Sequence, residues 1–185
     1  MLIFVKNVNR KKEENMLNKK IHDAINDQIN KELYSGYLYV DIANYFEDLG
    51  FPGFAHWFMI QAAEERDHAL YFREYLIHRG AKVTLGVIEN PNYTAKDVVE
   101  PFVAALEHEQ FISASINDIY ELALKEKDYA TVEFLNWFVK EQAEEEANAE
   151  YNLAEVSFIK NNVAALKAFE KSMFGREYEK ETPEL

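Results

Sequence analysis

Uneven connections between helical blocks constrain this chain more than any other feature. Four long stretches carry apolar residues at three- and four-residue spacing, the period of a helix with one buried face. The first covers about Asn18–Glu47 and runs into Asp48-Leu49-Gly50-Phe51-Pro52-Gly53, a compact turn. The second, about Phe54–His78, stops at Arg79-Gly80, a basic last turn followed by the glycine expected past a helix end. The third begins near Asp97, where Asp97 and Glu100 suggest a capping box, or at Thr94, since Pro101 lies one residue deeper than is ideal; it ends near Lys125–Lys127. The fourth covers about Asp128–Phe158, and a shorter amphipathic piece, about Val163–Phe174, ends at Gly175 before a polar tail.

The first-to-second and third-to-fourth links are short, so each pair is expected to be antiparallel. The link Ala81–Lys96, by contrast, is about 16 residues without a helical pattern. At roughly 3.3 Å per residue it can reach about 50 Å, the length of a helix of about 30 residues. An all-α four-helix bundle, two antiparallel hairpins joined by one long crossover with a short C-terminal fifth helix, accounts for both observations. With only 6 Gly and 4 Pro, breakers are scarce enough for such helices to persist. The expected organisation is an N-terminal extension over residues 1–15, loosely ordered, a bundle over 16–160, and the fifth helix with its tail over 161–185. Met16 opens the first strongly periodic stretch.

Each core stripe contains a polar interruption. The stripes read Ile25, Ile29, Glu32, Gly36, Tyr39, Ala43; Phe54, Phe58, Gln61, Glu65, His68, Phe72; Phe102, Ala105, Glu109, Ile112, Ile116, Ile119; and Phe134, Phe138, Gln142, Glu145, Ala149, Val156. The interruptions share one height. Glu32 lies about 16 residues before the first turn and Glu65 about 13 after it, so both sit roughly 20–24 Å from that end. Glu109 lies about 17 residues before the third-to-fourth turn, and Gln142 and Glu145 follow it by about 14 to 17.

Buried carboxylates brought together cost several kcal/mol per ion unless something neutralises them. A pair of divalent cations does so, and four carboxylates with one imidazole suit iron, manganese or zinc. Glu65 and His68, three residues apart, share a helix face and can share a metal. Alone, a Glu-x-x-His pair on an acidic helix is usually solvated, and a single core-stripe Glu is more often a register error. Coincidence on four helices at one level is what favours a dinuclear site. Tyr39 continues the stripe beyond Glu32, and its buried hydroxyl needs a partner, a carboxylate of the layer or a neighbour in simple packing. His22, His56, His78 and His108 lie off the layer, and Trp57 and Trp137 are expected to pack.

Composition narrows the classes further. The absence of Cys excludes disulfide frameworks, Fe–S clusters and thiolate zinc sites. A formal charge of −13 repels nucleic acid and anionic membranes and attracts cations. The apolar run Leu2–Val5 precedes its basic cluster and is too short for a signal peptide, and no run reaches membrane-spanning length. The cytoplasm is the expected compartment.

The stretches NKELYSGYLY (30–39), AEERDH (63–68), EHEQF (107–111) and EFLNWFVKEQAEEE (133–146) resemble those of non-haem ferritins of bacteria and archaea. The resemblance covers about residues 16–158 and the final helix only loosely. It implies a ferritin-like diiron four-helix bundle for iron storage: a ferroxidase binding two Fe(II), oxidising them with O2 or peroxide and depositing Fe(III) mineral inside a homo-oligomeric shell of twenty-four subunits. By that resemblance, Glu32, Glu65 and His68 match a first iron site and Glu65, Glu109 and Glu145 a second, with Glu65 bridging. Gln142 matches the family's nearby glutamine and Tyr39 the tyrosine beside the diiron centre. Glu64, Glu141, Glu144 and Glu145 match an additional cavity-side site of microbial members.

Departures from related families are equally specific. Arg66 stands where haem-binding relatives carry an axial Met, so no haem is expected. Gln142-x-x-Glu145 replaces a second Glu-x-x-His, and the tail from Asn161 to Leu185 lacks the glycine-rich bend usual before the fifth helix. Two alternatives stand beside storage: a rubrerythrin-like diiron peroxidase or oxidase, which the absence of Cys disfavours, and a redox-silent structural shell subunit, which the intact ligand set disfavours.

Overall fold

The computed structural model describes residues 17–183; the extension expected over residues 1–15 lies outside them. Five helices are present among the described residues: α1 (Lys19–Asp48), α2 (Pro52–His78), α3 (Glu100–Glu126), α4 (Tyr129–Ile159) and α5 (Val163–Met173). Each boundary has a local cause. Asn18 caps α1 by accepting from the Lys20 amide at 2.8 Å. Gly50 and Gly80, at φ 74° and 69°, take the left-handed conformation that ends α1 and α2. Pro52 opens α2 where its missing N–H costs nothing. Lys127 ends α3 in the left-handed region at φ 58°, and Asp128 caps α4 by accepting from the Thr131 amide at 3.1 Å.

One boundary differs from expectation. α3 starts at Glu100, three residues after Asp97. The Asp97 carboxylate still accepts from the amides of Val99 (2.8 Å) and Glu100 (3.1 Å), and the Glu100 side chain reaches back to the Lys96 amide at 2.7 Å. The capping bonds therefore form just ahead of the regular helix, with Val99 already in the right-handed region at φ −91°, ψ −39°. Pro101 sits in the first turn of the helix as it actually starts, where its missing N–H costs nothing.

α1 and α2 form one antiparallel hairpin and α3 and α4 the other, with α3 also packed on α1. Arg79, just past α2, donates to both oxygens of Asp128 at the head of α4 (3.0 and 2.8 Å), pinning the hairpins together at one end.

The crossover runs beside α1 in a matched register. Asn26 donates to the Thr84 carbonyl at 2.6 Å and accepts from the Thr84 amide at 2.8 Å; Asn30 donates to the Val87 carbonyl at 3.1 Å and accepts from the Gly86 amide at 2.9 Å. His22 donates to the Lys82 carbonyl at 2.7 Å. Four residues of helix rise about 6 Å and two residues of extended chain about 6.6 Å, so side chains at 22, 26 and 30 meet backbone at 82, 84 and 86. Farther on, Asp41 accepts from the Tyr93 amide at 2.7 Å.

All residues of the four stripes are buried. They divide the interior into two apolar cores. One gathers Ile21, Ile25, Ile29, Phe72, Leu76, Ile112, Ile116, Phe134 and Phe138. The other gathers Leu38, Ile42, Phe46, Phe54, Phe58, Phe102, Val156 and Leu166. The polar residues lie between the two. At about 1.5–3 kcal/mol per buried large apolar side chain, the two cores offset the cost of that layer. α5 closes the second core: the Glu170 carboxylate accepts from the Gly53 amide at 2.6 Å, and a Cβ at Gly53 would collide with the Glu170 carbonyl.

Candidate metal centre

Glu32 on α1 and Glu65 and His68 on α2 each turn one ligand atom to a common point, all within 4.8 Å of one another. All three side chains are buried. The approach of α1 and α2 that brings them together depends on Gly36, where a Cβ would stand only 3.1 Å from the Ala62 carbonyl. Four atoms of the group have no hydrogen-bond partner: Oε2 of Glu32, both carboxylate oxygens of Glu65 and Nδ1 of His68. Nδ1 of His68 lies 3.7 Å from Oε2 of Glu65, while its Nε2 faces Glu141 at 4.0 Å.

The other half of the layer comes from α3 and α4. Glu109 accepts from the Tyr39 hydroxyl and from Nε2 of Gln142 at 3.1 Å. Glu145 accepts from Nε2 of Gln61 at 2.8 Å. Tyr39 thus takes the carboxylate partner, and packs against Phe58 and His108 as well.

Electrostatics follow from this crowding. Burial, and then repulsion by Glu65, pushes the Glu32 carboxyl well above its ordinary range. Burial, then Glu109 and Glu145, does the same to Glu65. Glu65 therefore feels acids from the opposite hairpin while facing Glu32 and His68 on its own. Glu109 is pushed up to about 8 by burial and by Glu145, against the lowering effect of Tyr39 and Gln142. Unpartnered oxygens, an unpartnered imidazole nitrogen and raised carboxyls are what a cation site looks like to its protein atoms. Oxygen donors with one imidazole fit iron, manganese or zinc.

Glu64, Glu141 and Glu144 stand on the outward side of this layer. With Asp67, His68, Trp137 and Glu145 they line a cleft of about 200 Å³. Burial raises Glu141 and lifts Glu64 to about 7. The C-terminal tail crosses the mouth of the cleft. Arg176 donates to Glu64 at 2.6 Å with its guanidinium 4.9 Å from the Trp57 ring centre. Tyr178 donates to the buried Asp67, and Tyr71 donates to the Glu181 carbonyl at 2.5 Å. This strap was not legible in the residues, because a polar tail has no periodicity to show where it docks.

The remaining histidines lie away from the layer. His22 holds the crossover, His56 donates to the Arg176 carbonyl at 3.0 Å, and His108, with Ser35 at 2.7 Å, is kept neutral by burial, at about 4. Trp137 sets its edge against His68, ring centres 5.7 Å apart. Gln61 and Gln28, both buried and bonded to layer carboxylates, add to the expected residues.

Residues 22–159 match the family model for a ferritin-like domain. Bacterial non-heme ferritins of Staphylococcus haemolyticus and Staphylococcus aureus are each 35% identical over 166 residues, 90% of this chain and the whole of each relative. Among solved structures, an open pore ferritin from the hyperthermophilic archaeon Archaeoglobus fulgidus superposes with a TM-score of 0.86 at 36% identity, covering 87% of this chain and 98% of that one. An engineered closed form of the same archaeal ferritin also gives 0.86. Since the matched segment runs from the first turn of α1 to the end of α4 and the similarity extends over whole relatives, the chain belongs to the ferritin family.

Proposed function

We propose that this protein stores iron, taking up Fe(II), oxidising it between the two hairpins and passing Fe(III) to a mineral inside a homo-oligomeric shell. The observation that carries the reading is the set of buried donors left without partners on Glu32, Glu65 and His68. Fe(II) is the substrate and twenty-four subunits are the expected assembly. Glu32, Glu65 and His68 hold one ion, and Glu65, Glu109 and Glu145 the second. Two Fe(II) give up one electron each; with two protons, O2 becomes hydrogen peroxide, or peroxide becomes two waters. Raised carboxyls release protons as cations displace them. Gln142 and Tyr39 orient Glu109, and Gln61 orients Glu145. Glu64, Glu141 and Glu144 draw Fe(III) outward through the cleft. The cytoplasm is the compartment this reading proposes. Among the described residues no helix is long and apolar enough to cross a membrane.

The test combines stopped-flow Fe(II) oxidation of wild type, Glu65→Ala and His68→Ala with light scattering and iron counting after aerobic loading. Slowed oxidation in both variants, with large particles holding far more than two iron ions per chain, is expected. Oxidation at wild-type speed in both would reject the residue assignment. A monomer saturating at two ions would reject storage while leaving the metal site in place.

A further inference from the structure

Gln28, fully buried one turn before Glu32, donates from Nε2 to Oε1 of Glu32 at 2.8 Å. Its own Oε1 accepts from the hydroxyl of Ser115 on α3 at 2.6 Å. The Ser115 oxygen accepts from Nζ of Lys31 at 2.8 Å, and Lys31 pairs with Asp27 at 2.9 Å near the surface. These bonds form one directed chain from Lys31 to Glu32. An ammonium can only donate, so the serine oxygen accepts from Lys31; with the serine proton on the Gln28 carbonyl oxygen, the amide presents its NH2 group to Glu32. Once a cation has displaced the Glu32 proton, a flipped amide would set carbonyl oxygen against carboxylate. The result is an asymmetric Glu32, with Oε1 held by Gln28 and Oε2 without any partner.

We infer that Gln28 is a positioning residue that makes Glu32 a one-oxygen ligand, its amide orientation set from outside by Ser115 and Lys31. This inference rests on the metal-centre reading and deepens it. The charge of Lys31 polarises the chain of donors, strengthening the last bond, to Glu32. Without that bond Oε1 is free to turn onto the cation, so one carboxylate supplies two oxygens and crowds the site. A purely structural Gln28 would require only that its amide be satisfied, and nothing done to Lys31 would reach the metal.

Co(II), which is visible in absorption and stable to air at carboxylate sites, is the probe. Wild type, Gln28→Met, Ser115→Ala, Ser115→Thr and Lys31→Met are titrated by calorimetry and visible spectroscopy, with circular dichroism as the check of folding. Loss of an orienting partner is expected to weaken the tighter Co(II) step about 10–100-fold in Gln28→Met. Its visible bands should weaken as the coordination number rises. Ser115→Ala and Lys31→Met should move both readouts in the same direction by smaller factors, and Ser115→Thr should restore them. Wild-type affinity and spectrum in Gln28→Met would overturn the inference. So would unchanged spectra in both Ser115→Ala and Lys31→Met, an arm that decides the matter even where Gln28→Met does not fold. Failure of wild type to take up Co(II) would instead strike the metal-centre reading, and this inference with it.

Discussion

The Tyr39 hydroxyl on α1 donates to the Glu109 carboxylate on α3, joining one hairpin to the other across the buried layer. Glu109 has two side-chain donors, and Gln142 on α4 is the other. Tyr39→Phe removes one without changing the shape of the core. Leaving a buried acceptor short of a donor costs about 1–3 kcal/mol. The metal-free variant should therefore be less stable by that amount, with a lower urea midpoint and helix content retained. Fe(II) oxidation should slow without stopping, because Gln142 still holds Glu109. An unchanged urea midpoint would show that the Tyr39 bond contributes nothing.

Stability of the metal-free protein should fall as pH rises. Burial and neighbouring acids push Glu32 and Glu65 well above the ordinary carboxyl value of 4.5, Glu64 to about 7 and Glu109 to about 8. A carboxyl raised in the folded state binds its proton more tightly there than in the unfolded chain. Its stabilisation is present below the unfolded value and lost as pH climbs through the folded one. The decline thus runs from about pH 4.5 to beyond pH 8. At the acid end Asp67 and Asp128, both lowered, act in the opposite sense, with stability lost as pH drops through their folded values. Urea midpoints across this range check the prediction. Saturating Zn(II) should reverse the alkaline decline, since a bound cation favours the ionised carboxylates. A midpoint that rises steadily from pH 5 to pH 8 without metal would contradict it.

The tail places a guanidinium on Glu64, at the outer face of the layer. Arg176→Ala should free that carboxylate for a cation. Terbium(III), excited through the nearby tryptophans, is expected to bind the cleft several-fold more tightly in this variant. The first turnover of Fe(II) in the buried layer should stay near the wild-type rate. Weaker terbium binding would mean that Arg176 holds the cleft open.

The crossover anchors can be removed singly. Asn26→Ala and Asn30→Ala each delete a donor and an acceptor to extended backbone. Water replaces part of the loss at this partly exposed edge, so a cost of about 1 kcal/mol each is expected. Limited proteolysis should then cut faster within residues 81–96, while α1 and α2 survive.

The bundle was legible because burial writes itself into spacing. Phe54, Phe58, Phe72, Phe134 and Phe138 repeat at helical intervals, and acids placed among such residues stand out. The height of the layer followed from counting residues to each turn. Gln28 escaped notice because it lies beside Ile29 at the margin of the stripe, where an amide reads as surface. One signal was available: Gln28 precedes Glu32 by four residues and so shares its face. Asp97 and Glu100 carry the capping bonds that the pattern suggests, yet the regular helix begins only at Glu100, a short displacement that residue types do not encode. The path of the tail depends on Glu64 and Asp67, more than a hundred residues upstream, and no local pattern encodes it.

Matched register along α1 also sets where evolution or engineering can alter the length of the crossover. Between Lys82 and Val87 the segment is geared to the helix, two residues advancing for each turn, so one insertion there would throw Asn26 and Asn30 out of mesh together. From Asn30 to Asp41 the helix climbs about 16 Å, while the six steps from Val87 to Tyr93 can stretch to about 20 Å. Slack of that kind makes residues 88–92 the place to splice in a peptide, with both hairpins keeping their alignment.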